Sequence, residues 1–185
     1  MIFFRVFSGP CHMSMEVERI CVLGCAGAGK SVLAAKLSAL TDLPVISLDQ
    51  AYWLEGWVRR PDHEWRRRYE ELASQDQWII DGIYLGTMER RLASADTAIY
   101  LDVPRYLCLF RVLLRTIRWW RRQRPEGPTG CRERFDRDFF HYVWNFRNKD
   151  HPRILAALTR HSSICKIVVV RNKRDYEDLI RSFSP

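Results

Sequence analysis

Gly24-Cys25-Ala26-Gly27-Ala28-Gly29-Lys30-Ser31 is the stretch whose reading decides the fold. It satisfies the pattern Gly, four residues, Gly-Lys-Ser in full, the signature of a loop that wraps phosphate groups. The short apolar run 19–23 before it reads as a buried strand. Residues 31–40 after it carry helical spacing and good helix formers. Glycines let such a loop turn its N–H groups inward, and the helix that follows adds its positive end. Lys30 is then placed to reach the β- and γ-phosphates of a nucleotide, and the Ser31 hydroxyl to ligate Mg²⁺. Gly24, Cys25, Ala26, Gly27, Ala28, Gly29, Lys30 and Ser31 are therefore the expected nucleotide-binding residues, with ATP and Mg²⁺ as the ligands.

Outward from this loop, strand and helix alternate. Further strands are expected at 45–48, 78–80, 97–101 and 164–170. Helices are expected at 62–74, 87–92, 104–122, 132–145, 152–159 and 173–182. The strands are apolar nearly throughout, which points to a parallel sheet covered on both faces. The expected class is a three-layer α/β fold of P-loop NTPase type with a five-stranded parallel sheet. Residues 1–15 carry no fold signal and read as an extension, with Met13 or Met15 as an alternative start. Residues 16–185 read as one domain.

Composition excludes several alternatives. Hydrophobic residues make up 47% of the 185-residue chain, enough to bury a core. No apolar run reaches the ~18–20 residues of a membrane span, so no membrane partner is expected. Six cysteines without a CxxC pair read as reduced thiols of a cytoplasmic protein. The net charge of +8 is local: residues 105–137 hold ten arginines against three acids, and the remainder is nearly neutral. A local surplus of this kind points to an anionic ligand.

Ligands of parallel α/β sheets sit at the carboxyl ends of the strands. Three strands are expected to end in Asp. Asp81, after Trp78-Ile79-Ile80, fits a carboxylate that holds Mg²⁺ through water. Asp49 fits a base for a substrate hydroxyl or a metal contact. Asp102, before Val103-Pro104, fits a cap for the next helix. Arg111, Arg115, Arg118 and Arg122, spaced 4, 3 and 4, fall on one helix face, with Leu107, Phe110, Leu114 and Ile117 beside them as the expected anchor to the core. Arg118 and Arg122 are the expected catalytic guanidiniums, because the planar fork suits phosphate oxygens. The Pro/Gly-rich loop 124–130 lies within an expected lid, about 118–134, held by few contacts and mobile without nucleotide. Residues 50–61, with Tyr52, Trp53, Trp57, Arg59 and Arg60, are expected to shape an acceptor pocket.

These placements make a resemblance specific. Ser47-Leu48-Asp49 with Gly56-Trp57, Trp78-Ile79-Ile80-Asp81-Gly82-Ile83-Tyr84, Leu101-Asp102-Val103-Pro104-Arg105, and Trp144-Asn145 before Pro152-Arg153 are similar to segments of the adenylate-kinase-related topology modulation proteins (FlaR-like). The resemblance covers roughly residues 17–182. Family members commonly carry Asn where this chain has Ile83. It implies a five-stranded parallel sheet, a mobile lid, and an adenine site between the lid arginines and the loop after the last strand, where Arg171 would stack on the base. The expected activity is phosphoryl transfer from ATP–Mg²⁺ to a small-molecule or nucleotide acceptor. The alternatives are a slow ATPase switch and a nucleic-acid-associated nucleotide-binding regulator, the last supported only by charge.

Overall fold

The strand β1 (Arg19–Gly24) is the centre around which the chain is wound. The computed structural model describes residues 17–184; the expected extension 1–15 and its alternative start sites lie outside the described residues. Four of the six residues of β1 are aliphatic or Cys, and Ile20 through Leu23 are fully buried. On its two sides β1 pairs in parallel with β5 (Trp78–Asp81) and β6 (Thr97–Leu101). Beyond these lie β2 (Val45–Ser47) and β7 (Lys166–Val170), giving the parallel order β2-β5-β1-β6-β7. This is the five-stranded parallel α/β sheet expected from sequence.

Right-handed crossovers assign the layers. The connection from β1 to β2 through α1 (Lys30–Thr41) runs one way along the sheet. The connection from β5 to β6 through α4 (Leu85–Ser94) runs the other way, so α1 and α4 cover opposite faces. The closing helix α8 (Lys173–Phe183) packs on α1, and α7 (His151–His161) packs on α4. Both faces are thus shielded, which is what fully apolar strands require.

Three local departures from the sequence reading matter for function. First, β2 stops at Ser47, whose hydroxyl accepts the Gln50 N–H (3.4 Å) and caps the short helix α2 (Leu48–Tyr52). Asp49 therefore stands in the first turn of a helix rather than at the end of a strand. A hairpin, β3 (Trp53–Leu54) with β4 (Val58–Arg59), and the helix α3 (Asp62–Ala73) follow.

Second, α5 (Arg105–Arg118) ends four residues early. Arg121 takes a left-handed backbone (φ 58°), its N–H donating to the Glu133 carbonyl at 3.0 Å, while the Glu133 N–H donates to the Arg122 carbonyl at 2.9 Å. Pairing with the returning arm replaces helical continuation. Arg122 is off the helix, and only Arg111, Arg115 and Arg118 keep the expected spacing. The same pairing holds residues 132–133 out of the next helix, so α6 (Arg137–Lys149) starts later than expected, where the Asp136 carboxylate accepts the Phe139 N–H (3.0 Å).

Third, the face of α5 that enters the core is Cys108, Val112 and Thr116, not Leu107, Phe110, Leu114 and Ile117. The cause is a close backbone approach. A Cβ on Gly27 would lie 2.4 Å from the Cys108 carbonyl oxygen and 3.0 Å from Val112, so glycine on one side and small side chains on the other let α5 lie on the phosphate loop.

Candidate active site

The sheet register assembles the centre. Val22 and Ser47 both pair with Asp81, so the end of β5 lies between the phosphate loop after β1 and the Asp49 turn after β2. Ala28 N–H donates to the Cys25 carbonyl at 3.1 Å, closing the loop, and Gly29 (φ 99°) forms the N-cap of α1 without a side-chain cap. The first N–H groups of α1, at Lys30 to Val32, have no carbonyl one turn behind them in the helix. Helix N-termini of this kind, with the dipole behind them, suit anions. The Lys30 ammonium folds onto the loop and donates to the Cys25 carbonyl at 3.1 Å.

Asp81 is buried, and Ser31 Oγ donates to its Oδ2 at 2.6 Å. Its other oxygen, Oδ1, is buried without a hydrogen-bond partner among the described residues. Burial pushes the Asp81 carboxyl above its ordinary value, and neighbouring Asp49 adds to this; Lys30 and the Ser31 hydroxyl oppose it. A buried carboxylate with one free oxygen beside a Ser hydroxyl fits the hard-oxygen chemistry of Mg²⁺. No group of three or more His, Cys, Asp or Glu arranged for a metal occurs among the described residues.

Asp49 is exposed and accepts a hydrogen bond from Tyr84 Oη at 2.8 Å. Burial, and after it the contact with Asp49, raises the Tyr84 hydroxyl well above its usual range, so Tyr84 remains a donor. Tyr84 belongs to a ring cluster with Tyr52 (4.8 Å between centroids) and Trp65 (5.1 Å). Trp53 and Trp57 extend it along the hairpin. Arg60 is occupied: its Nε donates to the Ala51 carbonyl (3.0 Å) and it pairs with Glu64. It staples the hairpin to α3. Ile83 directs its side chain to the core, and its carbonyl accepts from buried Arg91.

The arm 119–136, which contains most of the expected lid, is folded. At its root the buried carboxylate of Glu133 pairs with Arg124 and lies 3.8 Å from Arg115. Its tip docks on the hairpin: Trp57 Nε1 donates to the Arg132 carbonyl at 2.8 Å, and the Gly56 N–H to the Gly130 carbonyl at 3.3 Å. Cys131 is buried there, with its Sγ 3.2 Å from the Leu54 carbonyl. A Cβ on Gly130 (φ 73°) would lie within 3 Å of Glu55. The expectation of few contacts is corrected: a polar latch and a docked tip hold this arm. Nothing in the sequence reading singled out Glu133. The available signal was one acid enclosed by Arg132 and Arg134.

Of the arginine stripe, Arg111 reaches the phosphate loop, donating to the Gly27 and Ala28 carbonyls at 3.4 Å. Arg118 is exposed, with its guanidinium 6.0 Å from the Trp119 ring centroid. Arg122 is exposed on the arm. The two arginines expected to be catalytic therefore lie farther along the chain than the one that meets the loop. Asp102 does not cap α5, whose N-cap is Pro104. Instead its carboxylate receives Arg147 and sits 3.7 Å from Arg171 Nε and 3.8 Å from His151 Nδ1. Arg171 is thereby fixed at the strand ends, while Asn172 caps α8 by accepting the Asp175 N–H.

Sheet order, phosphate loop and strand-end carboxylate define the P-loop NTPase fold. Among solved structures, the chain is similar to shikimate kinase from Acinetobacter baumannii in complex with shikimate, with TM-score 0.56 and 15% identity over 89% of each chain. Shikimate kinase from Bacteroides thetaiotaomicron aligns with TM-score 0.47 and 15% identity, over 89% of this chain and 95% of that one. The first of these likenesses concerns the fold alone. No family model matches the chain. A curated Bacillus subtilis (strain 168) protein, described as uncharacterized protein YqaC, is 27% identical over 97 residues, 51% of this chain and 54% of that protein. The chain thus spans about half the length of the curated relative it matches.

Proposed function

We propose that the protein is an ATP-dependent phosphotransferase acting on a small hydroxyl-bearing acceptor, and that it belongs with the adenylate-kinase-related topology modulation proteins. The observation that carries the reading is the set formed by Lys30, the Ser31–Asp81 pair and the Asp49–Tyr84 pair, on the segments that end or follow the adjoining strands β1, β5 and β2. A phosphate loop alone binds nucleotide. A second, exposed carboxylate held by a tyrosine beside an aromatic ring cluster supplies an acceptor side.

In this reading the loop from Gly24 to Ser31 cradles the phosphates of ATP. Ser31 and Asp81 hold Mg²⁺, which when bound neutralises charge on the phosphate oxygens. Lys30 turns from the Cys25 carbonyl to the β- and γ-phosphates. Asp49 accepts the acceptor's hydroxyl proton as its oxygen bonds to the γ-phosphorus and the bond to the ADP oxygen breaks. The ring cluster of Tyr52, Trp65 and Tyr84 walls the acceptor, and the arm 119–136 excludes water that would otherwise hydrolyse ATP. Arg118 and Arg122 reach the transferring group when the arm closes, and Arg171 stacks on the adenine.

The test is ATP consumption with and without a panel of hydroxylated and phosphorylated metabolites. The reading expects at least one acceptor to raise turnover well above the background. Asp49→Asn should lower that transfer by about 10²–10⁴-fold with ATP affinity retained. Turnover unaffected by every acceptor would replace the kinase with a slow ATPase.

A further inference from the structure

The outer face of α5 has no partner among the described residues. Because Cys108, Val112 and Thr116 take the inward side, the opposite side presents Tyr106 (71% exposed), Phe110 (56%), Leu113, Leu114 and Ile117 (63%), and Trp120 continues it just past the helix end. At 100° per residue the five helical positions fall within an arc of about 100°, pointing directly away from the core. Six large apolar side chains, each between roughly four and seven tenths exposed, reach the upper end of the ~300–600 Å² patch typical of a monomer surface.

The charge around the stripe selects its partner. Seven arginines and no acid lie between Asp102 and Glu126; Arg115 and Arg124 are taken up by buried Glu133 and Arg105 lies over Trp144, so the charge presented to solvent is that of Arg111, Arg118, Arg121 and Arg122. Arg111 and Arg118 flank one edge of the stripe, and exposed Arg121 and Arg122 follow it. A second copy fits poorly. An antiparallel two-fold pairing of α5 would set the arginine flank of one copy beside the same flank of the other, with no acid on either helix to separate them. A polyanion alone fits the guanidiniums and leaves the apolar stripe in water. A surface that is apolar within and anionic at its rim satisfies both.

We propose that α5 is a peripheral attachment site for an anionic lipid surface, with Phe110, Leu114 and Ile117 entering the acyl boundary and the arginines at the headgroups. The α5 rod, about 21 Å long, would lie in the membrane plane. Spanning is not involved: no helix of the described residues is long and apolar enough to cross a membrane. The sequence expectation of no membrane partner rested on that absence, and surface attachment does not need a span.

The experiment is flotation of the full chain with vesicles of phosphatidylcholine alone or with added phosphatidylserine, at low and at ~0.5 M salt. The protein should float with the acidic vesicles at low salt, and the bound fraction should fall at high salt. Phe110→Ser with Ile117→Ser, and separately Tyr106→Ser with Leu113→Ser, should each weaken vesicle binding about tenfold or more, with unchanged circular dichroism. No flotation with acidic vesicles, or flotation undiminished in both folded variants, overturns the proposal. A lipid-free dimer seen by light scattering and dissolved by the same substitutions also overturns it, assigning the stripe to a second copy.

Discussion

Ser31 Oγ donates to Asp81 Oδ2 at 2.6 Å, while Asp81 Oδ1 is buried with no partner among the described residues. The pair is half satisfied, and burial holds the carboxyl above its ordinary value of 3.8. A carboxyl with a raised folded value binds its proton more tightly folded than unfolded. Its ionisation therefore opposes folding at neutral pH, and the penalty fades as pH falls through the folded value toward 3.8. We expect Asp81→Asn to raise the melting midpoint of the ligand-free protein at pH 7, by about 2–4 °C for each kcal/mol relieved. The gain should shrink in acid. The same variant should lose the Mg²⁺-dependent part of ATP binding. Calorimetric melting across pH, with ATP titrations with and without Mg²⁺, checks both; a destabilised variant with wild-type metal dependence would remove Asp81 from the site.

Lys30 is held among the described residues through its hydrogen bond to the Cys25 carbonyl at 3.1 Å. Losing that charge-assisted bond costs about 1.5–3 kcal/mol. Lys30→Ala should therefore stay folded by circular dichroism and lose nucleotide turnover. A folded variant that still consumes ATP at the wild-type rate would refute its role at the phosphates.

Glu133 is the carboxylate shared by two largely buried guanidiniums, Arg124 and Arg115. Burial and neighbouring Arg124 push the Arg115 guanidinium below its ordinary value, and Glu133 opposes that shift. Removing one partner of a buried pair costs about 3–5 kcal/mol where the charge left behind stays buried. The arm can instead swing into water, so the cost should appear as local opening. Glu133→Ala should accelerate tryptic cleavage within 118–134 and hydrogen exchange across that segment, while nucleotide binding at the phosphate loop persists. Unchanged cleavage would mean that docking of Cys131 and Trp57 on the hairpin holds the arm alone.

What the sequence discloses divides along a physical line. The phosphate loop, β1 and Asp81 are legible because the motif is local and its flanking strand is apolar throughout. Asp49 is legible as a residue but misplaced by one element, since Ser47 both ends β2 and caps α2. The arm is where the reading goes wrong. Whether the helix continues past Arg118 is decided there by tertiary pairing rather than by propensity: Trp120 bridges to Glu133 and Gln123 to Arg132, contacts between residues nine or more apart. The buried side of α5 is also set from outside, by Gly27 lying on Cys108. Apolar periodicity favoured the larger residues, of which the structure leaves Phe110, Leu114 and Ile117 in solvent.

The arginines of α5 and the arm divide into two roles. Arg111 donates to the Gly27 and Ala28 carbonyls, so it braces the phosphate loop itself. Arg118 and Arg122 are exposed at the end of α5 and on the arm. A residue that shapes the empty loop should affect ground-state binding, whereas residues that engage only on closure should affect the chemical step more. Arg111→Gln should therefore weaken ATP binding and lower turnover in similar proportion. Arg118→Gln with Arg122→Gln should lower turnover by more than it weakens ATP binding. Equilibrium ATP titration beside steady-state rates measures the two ratios. Wild-type turnover in the double variant, with a loss confined to Arg111→Gln, would leave Arg118 and Arg122 as solvated positions and make Arg111 the arginine of α5 that serves the phosphates.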